Sequence, residues 1–338
     1  MSTRRQAAGF RSVTVVDVAR VAGVSAMTVS RVFNRPDEVP PATVAKVRAA
    51  AEATGYVPNR LAGGLRLSRS KLVAAIVPTL AGPIFLPTIE SLTSQLAAHG
   101  YQLMVGQSGY QPANEDMLIS EIIGRRPDGI VLTGVIHTEG SRKRLLASRI
   151  PVIETWDLAL DPIDVLVGFS HEAVGRRVAE YLAGRGRRRL AIIGGSDVRS
   201  VRRAEAFAEA AQRLGLPAPR TELVEPPTRL GQGREALARL LAQDEAPDGV
   251  FCSSDLLALG VLTEARARGL AVPGQLAVVG FGDLDFAGDV EPALSTVRID
   301  GRRIGQVAAA CIVSRARQEA LPSPVIDVGF TLVERASA

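Results

Sequence analysis

The chain has 338 residues, of which 46% are hydrophobic and 4% aromatic. That is long enough for two or three domains with real cores, and too apolar for a disordered or collagen-like chain. The formal net charge of +5 is unevenly spread: residues 1–71 hold 12 Lys/Arg against 4 Asp/Glu, whereas residues 72–338 hold 28 against 31. A basic head on a slightly acidic body directs any polyanionic partner to the head alone.

The N-terminal stretch "MSTRRQAAGFRS" is basic, but no apolar segment follows it, so it does not read as a signal peptide. No uninterrupted apolar run is long enough to span a bilayer. The two cysteines, Cys252 and Cys311, lie far apart in the apolar segments "GVFCSSD" and "AAACIVS" and read as buried free thiols. These features place the chain in the cytoplasm, with no membrane partner.

Three short helices are expected in the head. Thr14 is a candidate N-cap with Asp17 three residues on, opening helix one over residues 15–22. Gly23 ends that helix, Ser25 caps helix two over residues 26–33, and Pro36 closes it. Pro40 and Pro41 open helix three and Gly55 ends it. Two short helices joined by a Gly-containing turn form a helix-turn-helix. On a helical wheel, Val29, Val32 and Phe33 share one face of helix two with Thr28 at its edge; Ala26, Met27, Ser30, Arg31 and Asn34 take the other. An ordinary surface helix would fill that outer face with Glu and Lys. Small groups, one thioether, one guanidinium and one amide suit a helix laid into the major groove. There Ala26 and Met27 would meet thymine methyls, Arg31 a guanine edge or a phosphate, and Ser30 and Asn34 phosphates.

"VTVVDVARVAGVSAMTVSRVFN" followed by "GYVPNRLAGGL" resembles the headpiece and hinge of the LacI/GalR family of bacterial transcription repressors. Within that family, "HGYQLMVGQSGYQP", "DGIVLT" and "LDPIDVLVGFSHEA" are most similar to the gluconate-utilisation repressors. The resemblance implies a headpiece over residues 1–58, a hinge over 59–71 and an effector-binding and dimerisation domain over 72–338. It also implies that Thr14, Ser25, Ala26, Met27, Thr28, Ser30, Arg31 and Asn34 sit at the DNA, with Ala26 and Met27 setting operator choice. Asn59, Arg60 and Leu65 would belong to a hinge that becomes helical only on DNA, with Leu65 as a wedge in the minor groove. Gly63 and Gly64 make a helix there marginal in isolation, which independently suits a segment that orders on binding.

From Leu72 onward, apolar runs alternate with helical stretches. Strands are expected at 72–78, 101–106, 129–133, 151–155 and 164–169, then at 190–195, 249–253 and 276–281. "PTIESLTSQLAAHG" and "EAVGRRVAEYLAGRG" read as intervening helices. Strand–helix alternation means parallel sheets, and two such series mean two doubly wound lobes facing each other across a cleft. The fold class is therefore α/β: a three-helix helix-turn-helix headpiece and a body like a periplasmic binding protein. The resemblance puts the lobe crossovers near residues 170, 298 and 325.

Enzyme-like signals are weak. "GQGREA" (231–236) mimics a dinucleotide fingerprint but follows the proline-rich "VEPPTRL" rather than a strand end, so it reads as coincidence. "GFGDLDFAGD" gathers Asp283, Asp285 and Asp289 without the closing Glu of a calcium loop; it reads as a loop over the cleft. His99, His137 and His171 show no metal-ligand spacing, and no nucleophile sits in an elbow motif. No catalytic residue, metal or cofactor is expected; the body binds something and leaves it unchanged.

The ligand signal is anionic. "SDVRSVRRAEAF" offers Arg199, Ser200, Arg202 and Arg203 near a helix start, and both helix N-termini and Arg forks favour anions; Arg202 reads as part of a solvated basic face. The resemblance makes this loop a contributor of ligand-binding side chains, with Arg199 and Ser200 fitting the gluconate repressors best. By resemblance alone, Phe85, Tyr110, His137, Phe169, Arg203, Asp255 and Asp283 join them. Many sugar-binding members carry an Asp where this chain has Gly282, and losing that carboxylate suits a negatively charged effector. The expectation is a homodimeric repressor of a sugar-acid operon that binds double-stranded operator DNA and is released by gluconate or a phosphorylated or keto relative. No leucine heptad follows "FTLVERASA", which favours a dimer over a tetramer. A transport receptor would need a signal peptide, and an enzyme would need a catalytic constellation.

Overall fold

The computed structural model describes residues 12–58, 70–135, 137–159, 161–321 and 323–338, and the chain separates into units of residues 1–70 and 71–338. In the first unit, α1 (Val15–Ala22), α2 (Ala26–Asn34) and α3 (Pro41–Thr54) follow the local signals closely. The Asp17 carboxylate accepts hydrogen bonds from the backbone N–H and the hydroxyl of Thr14, at 3.0 and 2.7 Å. Gly23 takes the left-handed conformation (φ 61°) that ends α1. The Ser25 hydroxyl then accepts the Thr28 N–H at 3.1 Å to start α2. The α2 helix runs one residue past the expected end, and Pro36–Glu38 form a 3-10 turn rather than an abrupt stop. Val18, Val29, Val32 and Val47 are fully buried where the three helices meet.

The second unit contains two sheets. Along the chain the first lobe takes β1 (Leu72–Val77), α4 (Leu86–Ala98), β2 (Gln102–Gln107), α5 (Pro112–Gly124), β3 (Gly129–Thr133), α6 (Glu139–Ser148), β4 (Val152–Thr155) and β5 (Val165–Gly168). The second takes α7 (His171–Gly184), β6 (Leu190–Gly195), α8 (Val198–Arg213), β7 (Arg220–Val224), α9 (Leu230–Leu241), β8 (Gly249–Cys252), α10 (Asp255–Ala267), β9 (Ala277–Gly282) and β10 (Ser295–Arg298). Then α11 (Gly301–Ala316) and β11 (Val325–Asp327) return to the first lobe, and β12 (Thr331–Val333) to the second.

The strand orders are β2-β1-β3-β4-β5-β11 and β7-β6-β8-β9-β10-β12. Every pairing is parallel except β10 with β12. Both orders reverse between the first two strands, and ligands of open parallel sheets bind outside the strand carboxyl ends at such a reversal. The chain passes between lobes three times: from β5 to α7, from β10 to α11 and from β11 to β12. The expected strands all appear, shifted by no more than a residue at their ends. The "GQGREA" stretch lies at the start of α9, six residues after β7, where Gly233 packs against the Leu257 backbone of α10. Its glycine serves helix packing.

Three helix pairs brace the lobes: α7 against α8, α4 against α11 and α9 against α10. Each crosses at a glycine. A Cβ on Gly175 would run into the Arg203 carbonyl, and one on Gly305 into the Thr88 carbonyl. Because α8 carries the arginines of the cleft, the first crossing also sets their position. Gly175→Ala is expected to lower stability by about 1–3 kcal/mol through overpacking, read as a lower urea midpoint at unchanged m-value. A midpoint within error of wild type would show that α7 and α8 separate freely.

Candidate nucleic-acid interface and interlobe ligand site

In the head, α2 turns a polar face to solvent. Met27 is 71% exposed. Ser25, Ser30, Arg31 and Asn34 are exposed too, and the Asn34 amide donates to the Ser30 hydroxyl at 3.2 Å. Among the described residues Arg31 has no ion-pair partner. Thr14 is half-buried and spent on the start of α1. Ala26 differs from its expected place: it is half-buried against the head's own core, at the rim of the outer face. Asn59, Arg60 and Leu65 lie outside the described residues.

In the body, the strand carboxyl ends of both lobes open on a continuous set of interlobe cavities. One, of about 80 Å³, is walled by Ile84, Phe85, Tyr110 and Trp156 of the first lobe and by His171, Arg199, Ser200, Arg203, Ser253 and Phe281 of the second. A neighbour of about 220 Å³ shares Tyr110, Asp197 and Arg199, and adds Ser108, Gln111, Glu115, Thr133 and Asp157.

Arg203 forms the floor. It is 4% exposed; one terminal nitrogen lies 2.8 Å from His171 Nδ1, and the other donates to the Ser200 hydroxyl at 3.0 Å. The guanidinium sits 4.2 Å from the centre of the Phe281 ring, a cation–π contact strengthened by burial. Burial pulls its pKa down to about 10 against the nearby Asp197 carboxylate, so it stays charged at neutral pH. A guanidinium only donates, so His171 Nδ1 must accept. The imidazole therefore carries its proton on Nε2, which donates to the Trp156 carbonyl at 3.0 Å. Burial, and then Arg203, hold the His171 pKa well below its ordinary range. His171 is neutral and of fixed tautomer.

Trp156 takes a left-handed backbone conformation (φ 67°) at the end of β4. That costs about 1–3 kcal/mol and is typical of functional sites. The strain turns the indole inward, where Nε1 donates to Thr88 at 3.0 Å. The ring then stacks edge-on against Phe85 (5.0 Å) and Phe169 (6.0 Å). Arg199 lies over Phe85, 5.6 Å from the ring centre. Among the described residues its guanidinium donates no hydrogen bond and approaches one carboxylate, Asp197, at 3.8 Å. Asp197 is largely spent as the N-cap of α8, accepting from the Ser200 N–H and hydroxyl. Among the described residues Arg199 is thus the cleft guanidinium with the most donors to spare, Arg203 lacking a partner only at its buried Nε.

Arg202 is not on a solvated face. It donates to both oxygens of the fully buried Asp157 of the first lobe at 2.9 Å, and to Glu172 at 2.7 Å. It ties the lobes together beside the cavity.

Of the side chains assigned to the effector from sequence, Phe85, Tyr110, Arg199, Ser200 and Arg203 meet in these walls. The other four do not. Phe169 is completely buried behind Trp156 and Phe281. Asp255 is completely buried too, accepting from Thr296 (2.6 Å) and the Leu284 N–H (2.7 Å) to hold the loop after β9. Asp283 pairs with Arg298 and Arg335 and opens on a separate interlobe cavity beside the chain crossings. The His137 side chain is 3% exposed, behind Glu115. Gly282 has φ 132°, a conformation that L side chains rarely adopt, so the glycine serves the backbone as well as removing a carboxylate. Trp156, His171, Ser253 and Asp157 were missed; the signal for the first was a sole tryptophan just after a strand.

Comparison with known proteins agrees with this architecture. The head matches the model of bacterial regulatory proteins of the lacI family over residues 14–59, and residues 179–338 match the periplasmic binding protein-like domain. The chain is 38% identical over 326 residues to the HTH-type transcriptional regulator GntR of Pseudomonas aeruginosa, covering 96% of this chain and 95% of the relative. The chain belongs to the LacI family. It is 32% identical to the Escherichia coli K12 regulator GntR, over 94% of this chain and 96% of that one. A crystal structure of a LacI-family transcriptional regulator from Silicibacter pomeroyi superimposes with a TM-score of 0.91 at 32% identity, covering 96% of this chain and 99% of that one. This LacI-family protein is a DNA-binding transcriptional repressor and not an enzyme. Among the described residues, no helix is long and apolar enough to cross a membrane, and no cluster of His, Cys, Asp and Glu is placed to hold a metal.

One titration follows from the repressor's first lobe. His137 Nδ1 lies 2.5 Å from Glu115 Oε1, and Nε2 lies 3.3 Å from Glu154 Oε1. Burial alone would lower its pKa, but the hydrogen bond to Glu115 and the carboxylate of Glu154 beside Nε2 raise it to about 9. A pKa raised on folding means stability that is full below the unfolded value near 6.5 and is lost as pH rises through 9. The thermal midpoint should therefore fall between pH 6.5 and 9, and His137→Gln should remove that part of the slope. Identical slopes would mean that the imidazole is not charged in the folded protein.

Proposed function

We propose that this repressor controls a sugar-acid catabolism operon of the gluconate type and is released from its operator when the acid binds between the lobes. The observation that carries the anion assignment is Arg199, whose guanidinium retains its donors in a cavity beside the N-terminus of α8. Arg203, Ser200, Tyr110 and Phe85 would form the rest of the contact, with the aromatic wall of Phe85 and Trp156 excluding water from the ion pair. The regulators named GntR, similar to this chain over nearly its whole length, support the same reading.

The protein would act as a cytoplasmic homodimer with a headpiece of residues 1–58 and a hinge of 59–71. Ser25, Ala26, Met27, Thr28, Ser30, Arg31 and Asn34 of each copy would meet one half of a pseudo-palindromic site, with Thr14 at a phosphate. Asn59, Arg60 and Leu65 would order on the DNA. An acid that favours one lobe arrangement changes hinge spacing by no more than its differential affinity, and operator DNA must weaken acid binding by the same factor.

Calorimetry with gluconate and neutral glucose, each with and without operator, tests the assignment. Gluconate should bind and glucose should not, and Arg199→Ala should weaken gluconate by about 10- to 100-fold, the worth of a hydrogen bond to a charged group. Equal binding of glucose, or an unaffected Arg199→Ala, would refute it. Operator affinity should also fall steeply with salt, by about 10³-fold between about 50 and 200 mM, in filter-binding titrations. A flat salt response would argue against a phosphate-clasping head.

A further inference from the structure

We propose that Glu115, steered by His137, makes this cleft select an acid with a single negative charge and a hydroxylated tail, and reject the same acid carrying a distal phosphate. This rests on the sugar-acid reading above and deepens it.

Glu115 stands in the first turn of α5 and lines the larger cavity, the one that Arg199 enters from the other lobe. One of its carboxylate oxygens is held by His137 Nδ1 at 2.5 Å. The other has no hydrogen-bond partner among the described residues. The neighbouring Asp116 does not line that cavity; its Oδ1 accepts from the hydroxyls of Thr138 and Ser141 and faces Arg144 at 3.5 Å.

Behind His137 lies Glu154, 1% exposed, whose second oxygen accepts the Ile163 N–H at 2.7 Å. The imidazole is therefore clamped from both sides and aims Glu115 rather than touching ligand itself. One imidazolium between two carboxylates leaves a net charge of −1, presented to the cavity through Glu115.

The remaining charges of the same cavity cancel or are committed. Asp157 is taken by Arg202, and Asp197 caps α8 beside Arg199. A ligand therefore meets one cation with free donors, Arg199, and one anion with a free acceptor, Glu115. A carboxylate fits the first. The second accepts a hydrogen bond from a hydroxyl, as Thr133 and Gln111 can in the same wall, and it repels a phosphate held between the lobes.

Calorimetry of gluconate and 6-phosphogluconate against the wild-type dimer, Glu115→Gln and His137→Gln is the test. Wild type should bind gluconate at least about tenfold tighter than 6-phosphogluconate, a modest share of the repulsion between like charges in such a site. The isosteric Glu115→Gln should narrow that ratio to about threefold or less, chiefly by gaining affinity for the phosphorylated acid. His137→Gln should narrow it in part, a change in preference that mere loosening of the fold would not produce. Equal wild-type affinities, which need no variant to measure, or an unchanged ratio in Glu115→Gln, would overturn the proposal while leaving the sugar-acid reading intact. If neither acid binds, that reading falls and this one falls with it.

Discussion

Arg203 is a charge buried almost completely between two lobes, and a buried charge is costly unless its surroundings are arranged for it. Much of the cleft is that arrangement. Asp197 supplies the countercharge and caps α8. Ser200 and a neutral His171 accept its hydrogen bonds, and Phe281 offers its ring face. His171 keeps the required tautomer because the Trp156 carbonyl accepts a hydrogen bond from its Nε2–H. That carbonyl is in place because Trp156 holds a left-handed backbone conformation at the end of β4. A strained residue of one lobe thus keeps a cation of the other lobe in place.

The same logic separates the three arginines of the "RSVRR" stretch. Spaced i, i+3 and i+4 they share one face of α8, and each finds a different partner there. Arg203 points to the floor, Arg202 to Asp157 across the cleft, and Arg199 to the cavity over Phe85. One is structural to the floor, one bridges the lobes, and one keeps its donors. Asp157 is wholly buried, so its carboxyl is pushed above its ordinary range by desolvation, against the pull of Arg202. Opening the lobes at that point would separate a buried pair, which sets a cost on the motion that any effector must offset.

Much of the head was legible in the sequence because its determinants are local. Caps at Thr14 and Ser25, the turn at Gly23 and the proline at Pro41 act over at most four residues. The period-3.6 pattern of Val29 and Val32 decides which face is buried. The strands of the body announce themselves as apolar runs because parallel strands covered on both faces need them, and the family resemblance rests on the same stretches. Sequence alone therefore determined the fold class, the basic head and the arginine-rich loop beside a helix start.

Tertiary structure decided the rest, since the decisive contacts join residues far apart in the chain. Arg202 meets Asp157 across 45 residues, and Trp156 meets Thr88 across 68; no local period reports either. β11 and β12 have three residues each, too short for a pattern, and exist because β5 and β10 offer open edges at the crossings. Phe169 and Asp255 sit at strand and helix ends that face the cleft in outline. Their side chains turn inward because an aromatic stack claims one and Thr296 and the Leu284 N–H claim the other. His137 read as a ligand contact by resemblance alone, yet two carboxylates from other elements, Glu115 and Glu154, enclose it. Residue type at a loop position determined what chemistry was on offer. Whether each group faced ligand or partner depended on which oppositely charged or hydrogen-bonding group the fold brought within 3 Å of it.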